Sequence, residues 1–233
     1  MELQSLQRKG AVWKCLRIGE HALLLEIDGQ EEQLELVHEF TNALNRAEIN
    51  GIQDVVPAYK TIGLIFDGSV LDHDKLIRKI ETKLDSGNEY SKKSQLFKIP
   101  VCYDLGLDWD EVEKKTKLSK REIIEEHTSK DYTIAMMGFT PGFVFLNGLS
   151  ERIWCSRREN PRVSIPKGSI GIGGKQTGFY SLESPGGWQI IGQTPISFFD
   201  SEKSPPSELG AGDKVLFYAI DELEFKEITL EQS

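Results

Sequence analysis

Apolar and polar residues alternate over residues 11–18 and again over 21–27, and the Ile18-Gly19-Glu20 corner between the two runs predicts a β-hairpin. The period then lengthens. Val37, Phe40, Leu44 and Ala47 recur at the spacing of one helical face, and Asn50-Gly51 supplies residues that tolerate left-handed backbone where that helix is expected to close. Extended runs at 54–58 and 61–66 precede a second helix, which opens at Asp72 and turns Leu76, Ile77, Ile80 and Leu84 to one side. The predicted order is ββαββα, which suits a small antiparallel sheet with two helices on one face.

Residues 85–94, DSGNEYSKKS, have almost nothing to bury, and this places a domain boundary there: 1–90 form a small α/β domain and 91–233 a second domain. Beyond it, an extended run at 97–103 leads to two short helices with capping-box patterns, Asp108 with Glu111 and Ser119 with Glu122; the second carries Ile123, Ile124 and His127. From Tyr132 onward no further helix is expected. Short extended pieces at 132–137, 162–165, 169–172, 188–191, 196–199 and 214–220 alternate with Gly, Pro and Ser, the pattern of a β-barrel or sandwich, and KSPP at 203–206 reads as an exposed loop. The fold class is α+β.

Composition narrows the function. The 233 residues carry 28 Lys+Arg against 37 Asp+Glu, a formal charge of −9, which opposes the phosphate neutralisation that nucleic-acid binding requires. No apolar run has the roughly 18–20 residues of a membrane span, and the start lacks the basic-then-apolar order of a signal peptide, so neither a membrane nor a nucleic acid is expected as a partner and the cytoplasm is the expected location. Cys15, Cys102 and Cys155 are too dispersed for a disulfide framework or a CxxC site and read as small buried hydrophobes. The four histidines, His21, His38, His73 and His127, show no ligand spacing, so no metal site is expected.

Candidate chemistry concentrates between Phe139 and Pro195. Residues 166–178, PKGSIGIGGKQTG, crowd glycines among hydroxyl, amide and ammonium groups, so main-chain N–H groups with Lys167 or Lys175 would suit a phosphate or carboxylate; the same glycines equally suit tight barrel turns. Ser169 stands five residues before Gly174 where a P-loop needs glycine, and Gln176 stands where it needs Ser or Thr; Ser169 also lacks the GxSxG frame of a serine hydrolase. Phe139, Pro141 and Phe143 surround one Pro-Gly turn, and Pro185-Gly186-Gly187-Trp188 makes another; both suit a pocket wall or ordinary packing. Arg157, Arg158 and Arg162 offer bidentate contacts to a carboxylate or phosphate.

Taken in order, GFTPGF (138–143), PRVSIPKGSIGIGGKQTGFY (161–180) and SPGGWQIIGQTP (184–195) closely resemble the allophanate hydrolase subunit 1 family, whose N-terminal region is also matched by GEHALL (19–24) and VPAY (56–59). The resemblance extends over nearly the whole chain. It implies a small α/β domain followed by a cyclophilin-like β-barrel. The family includes the B-type component of the ATP-dependent 5-oxoprolinase and a sporulation-kinase inhibitor. Three activities are therefore implied as alternatives: ring opening of 5-oxoproline to glutamate, inhibition of a sensor histidine kinase, and allophanate chemistry in urea degradation. The first requires a subunit 2-type partner, a third subunit, and ATP with Mg2+ held by the assembled complex. Carried onto this chain, Arg162, Lys167, Gly168, Ser169, Gly174, Lys175, Gln176, Thr177, Gly178 and Tyr180 are the substrate or ATP candidates, and Phe139, Pro141, Phe143, Pro185, Gly186, Gly187 and Trp188 the pocket wall. Lys167 and Lys175 depart from the family pattern and would add positive charge. No general base is assigned, since the three motifs hold no carboxylate or histidine and Glu183, between the second and the third, reads as part of a turn.

Overall fold

The computed structural model describes residues 2–29, 33–67, 72–85 and 94–231, and the chain divides into two compact units, Met1–Lys93 and Ser94–Ser233. Most of the predicted boundary stretch, 86–93, lies outside the described residues.

The first unit runs β1 (Glu2–Arg8), β2 (Ala11–Arg17), β3 (Ala22–Ile27), α1 (Leu34–Ala47), β4 (Ile52–Pro57), β5 (Thr61–Phe66) and α2 (His73–Asp85). The expected ββαββα thus lacked its first strand. Strand β1 returns into β2 through Lys9 and Gly10, both at positive φ (50° and 74°), the backbone of a two-residue hairpin turn that Asn-Gly would have advertised and Lys-Gly does not. All pairings in the sheet, ordered β1-β2-β3-β5-β4, are antiparallel. Alternate residues Trp13 and Cys15, Leu23, Leu25 and Ile27, and Ile62, Leu64 and Phe66 bury one face against Val37, Phe40 and Leu44 of α1 and Leu76, Ile77 and Ile80 of α2. Each large side chain so buried contributes about 1.5–3 kcal/mol. Helix α1 closes earlier than expected: Glu48, at φ 42°, takes the left-handed position, and Asn50-Gly51 instead turns the chain into β4.

The second unit contains β6 (Leu96–Cys102), α3 (Trp109–Thr116), α4 (Lys120–Thr128), β7 (Tyr132–Met137), β8 (Val144–Asn147), β9 (Arg162–Ile165), β10 (Ser169–Gly173), β11 (Gln176–Phe179), β12 (Ser184–Gly186), β13 (Gln189–Gln193), β14 (Lys214–Ile220) and α5 (Glu222–Glu231). Seven strands close a barrel in the order β10-β11-β8-β7-β14-β6-β13, and β13 returns to β10. Only β6 and β14 pair in parallel within it. The interior is filled by Ile99, Val101, Ile134, Val144, Leu146, Ile170, Ile172, Phe179, Val215 and Phe217, so the barrel is a packed core. Strands β9 and β12 form a separate two-stranded sheet. All three cysteines are buried.

Three expectations fail here. Residues 196–199 form no strand; Phe199 packs instead against Gly142. Strands β8, β11 and β12 arise where no strand was expected. A helix does occur after Tyr132, because Asp221 caps α5: its Oδ1 accepts the N–H groups of Leu223 and Glu224 (2.8 and 2.9 Å), and Glu224 Oε2 accepts the N–H of Asp221 (3.1 Å). That box is visible in the sequence, but α5 buries no residue and leaves Leu223 and Leu230 exposed, so it has no apolar periodicity to find. No helix among the described residues is long and apolar enough to cross a membrane. Because Leu223 and Leu230 are exposed, Leu223→Ala and Leu230→Ala should each change stability by no more than about 0.5 kcal/mol, read as an unshifted denaturation midpoint.

Candidate functional site

The Gly-rich segment at 166–178 folds as a hairpin, not a loop. Strands β10 and β11 pair from Ile170↔Phe179 to Gly173↔Gln176, and each is paired on its other edge as well, β10 with β13 and β11 with β8. The N–H of Gly168 goes to the Tyr180 carbonyl (2.7 Å) and that of Gly174 to the Cys155 carbonyl (2.7 Å). The main-chain donors that looked available to an anion are thus largely committed to the barrel ladder. The glycines have a different purpose. A Cβ on Gly173 would stand 2.5 Å from the Trp188 indole, and one on Gly178 would stand 2.1 Å from the Val144 carbonyl oxygen, so only bare backbone lets the strand and the ring approach this closely.

Trp188 therefore lies on the hairpin, 4% exposed, with Phe143, Ile165, Tyr180 and Ile190 in one cluster and Phe145 beside it. Phe143 meets Tyr180 and Trp188 edge to face, with centroids 4.8 and 5.5 Å apart. The three motifs thus assemble: GFTPGF supplies Phe143, the FY end of the second supplies Tyr180, and SPGGW supplies Trp188. Gly186 lies against the Tyr180 hydroxyl and the Gly187 carbonyl accepts the Arg158 N–H (2.7 Å), while Phe139, Pro141 and Pro185 remain exposed. Burial raises the Tyr180 phenol above its ordinary value.

The polar candidates separate. Lys175, at the hairpin tip, sets its ammonium 4.7 Å from the centre of the Trp154 ring. Beside it Gln176 and Gly174 are half-buried, while Lys167, at the opposite end of the hairpin, is exposed with its carbonyl accepting Gln193 Nε2 (2.7 Å). Gly168, Ser169 and Gly178 are buried within the barrel wall. Glu183 accepts the Ser164 hydroxyl (2.7 Å).

Arg162 forks onto Asp108, donating Nη1 to Oδ2 (2.8 Å) and Nη2 to Oδ1 (2.7 Å). Arg158 donates to the same Oδ1, and the Ile190 N–H reaches Oδ2 at 2.7 Å. Asp108 was expected to cap α3 through its side chain; it makes no such bond, because its carboxylate, 2% exposed, is saturated by these four donors. The bidentate carboxylate contact read from the arginines is made within the chain. Ser119 and Glu122, by contrast, form the expected capping box on α4.

Thr177 faces inward and ends a buried polar chain. Its hydroxyl donates to the Gly171 carbonyl (3.0 Å), which spends its one proton, so His127 Nε2–H must donate to Thr177 Oγ1 (2.9 Å). His127 Nδ1 then accepts from the Tyr103 hydroxyl (2.7 Å), and one neutral tautomer is selected. The imidazole stacks on Phe217 with centroids 4.7 Å apart, and burial lowers its pKa to about 3. Tyr103 is raised well above the ordinary tyrosine value, also chiefly by burial. Nothing in the linear order links residues 103, 127 and 177; the only signal was a histidine on the apolar side of α4. Among the described residues, no group of three or more His, Cys, Asp or Glu is placed to hold a metal.

The closed barrel and its aromatic face define a domain of the carboxyltransferase type, and residues 13–209 match the family described as carboxyltransferase domain, subdomain C and D. The chain belongs to this family, the one its motifs resembled under the name allophanate hydrolase subunit 1. It is 36% identical to the B component of the 5-oxoprolinase of Bacillus subtilis, covering 90% of this chain and 93% of that one, and 33% identical to the B component of the 5-oxoprolinase of Escherichia coli O157:H7, covering 88% and 94%. The crystal structure of TTHA0988 superposes with a TM-score of 0.74 at 31% identity, over 86% of this chain and 40% of that longer one.

Two outcomes follow from the buried groups. Asp108→Ala leaves two guanidinium groups and the Ile190 N–H without their acceptor and should destabilise the second unit by about 3–5 kcal/mol, measured by urea denaturation. For His127, the unfolded imidazole takes up its proton near pH 6.5 while the folded one, at about 3, does not. The unfolded state thus binds more protons between these limits, and stability is lost as pH falls through them. The slope from this residue reaches about 1.4 kcal/mol per pH unit. His127→Gln should flatten the dependence between pH 6 and pH 4; parallel curves for the two proteins would contradict a buried neutral imidazole.

Proposed function

We propose that this chain is the B-type component of an ATP-dependent 5-oxoprolinase, which opens 5-oxoproline to glutamate together with a subunit 2-type partner and a third subunit, and that it is inactive alone. The observation that carries this reading is the 36% identity to the B component of a 5-oxoprolinase over nearly the full length of both chains.

The reaction explains why several chains and ATP are needed. A five-membered lactam is resonance-stabilised, and its carbonyl resists water at neutral pH. Transfer of a phosphoryl group to the lactam oxygen makes the ring carbon electrophilic, and negative charge that develops there needs fixed donors. On this chain the side chains suited to that task are Gln176 and Lys175 at the hairpin tip, with the Phe143–Tyr180–Trp188 cluster as an apolar support, whereas Lys167 stands at the other end of the hairpin. The main-chain amides of the hairpin are largely committed to the barrel ladder, so the nucleotide and its Mg2+ are assigned to the assembled complex, and no phosphoryl step is assigned to this chain.

Reconstitution with the subunit 2-type and third subunits should give 5-oxoproline-dependent ATP hydrolysis and glutamate release; a stable complex with neither would end this reading. In that complex Gln176→Ala should lower turnover by about 3- to 10-fold with an unchanged melting temperature, since a half-buried amide at a strand end serves a ligand more than the core. Undiminished turnover would remove Gln176 from the site.

A further inference from the structure

We infer that Phe139 is the docking anchor for another subunit: a rigid loop of this chain holds its ring outward to enter an apolar recess on the protein partner that completes the site. The inference rests on the reading of this chain as one subunit of a hetero-oligomeric enzyme.

Phe139 is 67% exposed, and its φ of 76° lies in the left-handed region, where a bulky side chain is an outlier. The neighbouring contacts hold it there. The Gly138 N–H donates to the Phe143 carbonyl and the Phe143 N–H to the Thr140 carbonyl, both at 3.1 Å, and the Ser181 hydroxyl donates to the Pro141 carbonyl. Gly142, at φ 75°, lies under Phe199, whose Cβ would be 2.5 Å from any side chain placed there. From below, Phe143 meets the Phe139 ring edge to face at 5.7 Å, and Phe143 is itself locked against Tyr180 and Trp188.

The loop therefore keeps both a strained backbone and an exposed aromatic ring, and glycine at 139 would remove both. Such strain persists where the surroundings over-determine it, and it gathers at binding sites. A rigid ring loses little side-chain freedom on docking, and aromatic rings, Phe among them, bury large areas and are enriched at the cores of interfaces. The chemistry of the loop favours a protein recess over the substrate: residues 138–143 carry no ionisable group to meet the carboxylate of 5-oxoproline, and the exposed Pro141 extends the apolar surface. The two bacterial relatives are each named as one component of a 5-oxoprolinase, which supports a role within a larger assembly.

The test compares wild type, Phe139→Gly and Phe139→Trp in calorimetric titrations against the purified subunit 2-type protein, with a thermal melt of each chain alone. Phe139→Gly should weaken binding by at least about 10-fold while its own Tm rises by about 2–4 °C, since left-handed backbone suits glycine. Phe139→Trp should bind within about threefold of wild type. Equal affinity of wild type and Phe139→Gly overturns the anchor, including the case in which only the KM for 5-oxoproline rises and the ring proves to cover substrate. A lowered Tm for Phe139→Gly, or no binding by the wild-type chain, overturns it too. A Phe139-dependent complex without 5-oxoproline-dependent ATP hydrolysis would instead support the anchor and refute the proposed activity.

Discussion

The second unit is organised around one buried carboxylate. Asp108 stands where the chain leaves β6 for α3, yet its four donors come from residues 158 and 162 and from the main chain of β13. A helix start, the β9 segment and the barrel wall are thereby tied at one point. A buried charge is tolerated only when its lone pairs are filled, and here geometry fills them, with one arginine in a fork and the second on the shared oxygen. The segment between β8 and β10, which has little regular structure, takes its path over the barrel from this node. That path brings the β9–β12 sheet beside Tyr180 and Trp188.

A second polar element runs inside the barrel. Tyr103, His127, Thr177 and the Gly171 carbonyl form a chain in which each proton has one place, and the stack of His127 on Phe217 leaves the imidazole no room to reorient. Satisfied networks of this kind specify a single packing more than they add stability. This one holds β11 against α4, so the hairpin tip that carries Lys175 and Gln176 is fixed from its inner side. The aromatic cluster fixes it from the outer side. Rigid on both faces, the hairpin can present side chains without an induced change.

Particular elements show how far the residue pattern carried. The helices α1, α2 and α4 were legible because each has either an apolar stripe or a cap, and strands β2, β3 and β5 because they alternate; α3 was found from a capping pattern whose side-chain bond does not form. Strands β11 (Gln-Thr-Gly-Phe) and β12 (Ser-Pro-Gly) were missed because they are short and hold Gly or Pro; pairing with neighbouring strands, not propensity, makes them strands. The capping box at Asp108 was a false signal, since an Asp three residues before a Glu satisfies the pattern whether its carboxylate turns to the helix or away from it.

The order and spacing of residues were sufficient for the α+β class and the three motifs, and through the family those motifs resemble for the barrel, because these depend on local periodicity, on glycine and on long matched segments. Which side chains face one another was settled by closure of the barrel. Closure turned the Gly-rich stretch between Phe139 and Pro195 from an apparent anion loop into a paired hairpin beneath an indole, sent Thr177 inward to a histidine fifty residues earlier, and left Phe139 outside. The reason is physical: ladder hydrogen bonds and close ring-to-backbone contacts join positions far apart in the chain, and no local pattern encodes them.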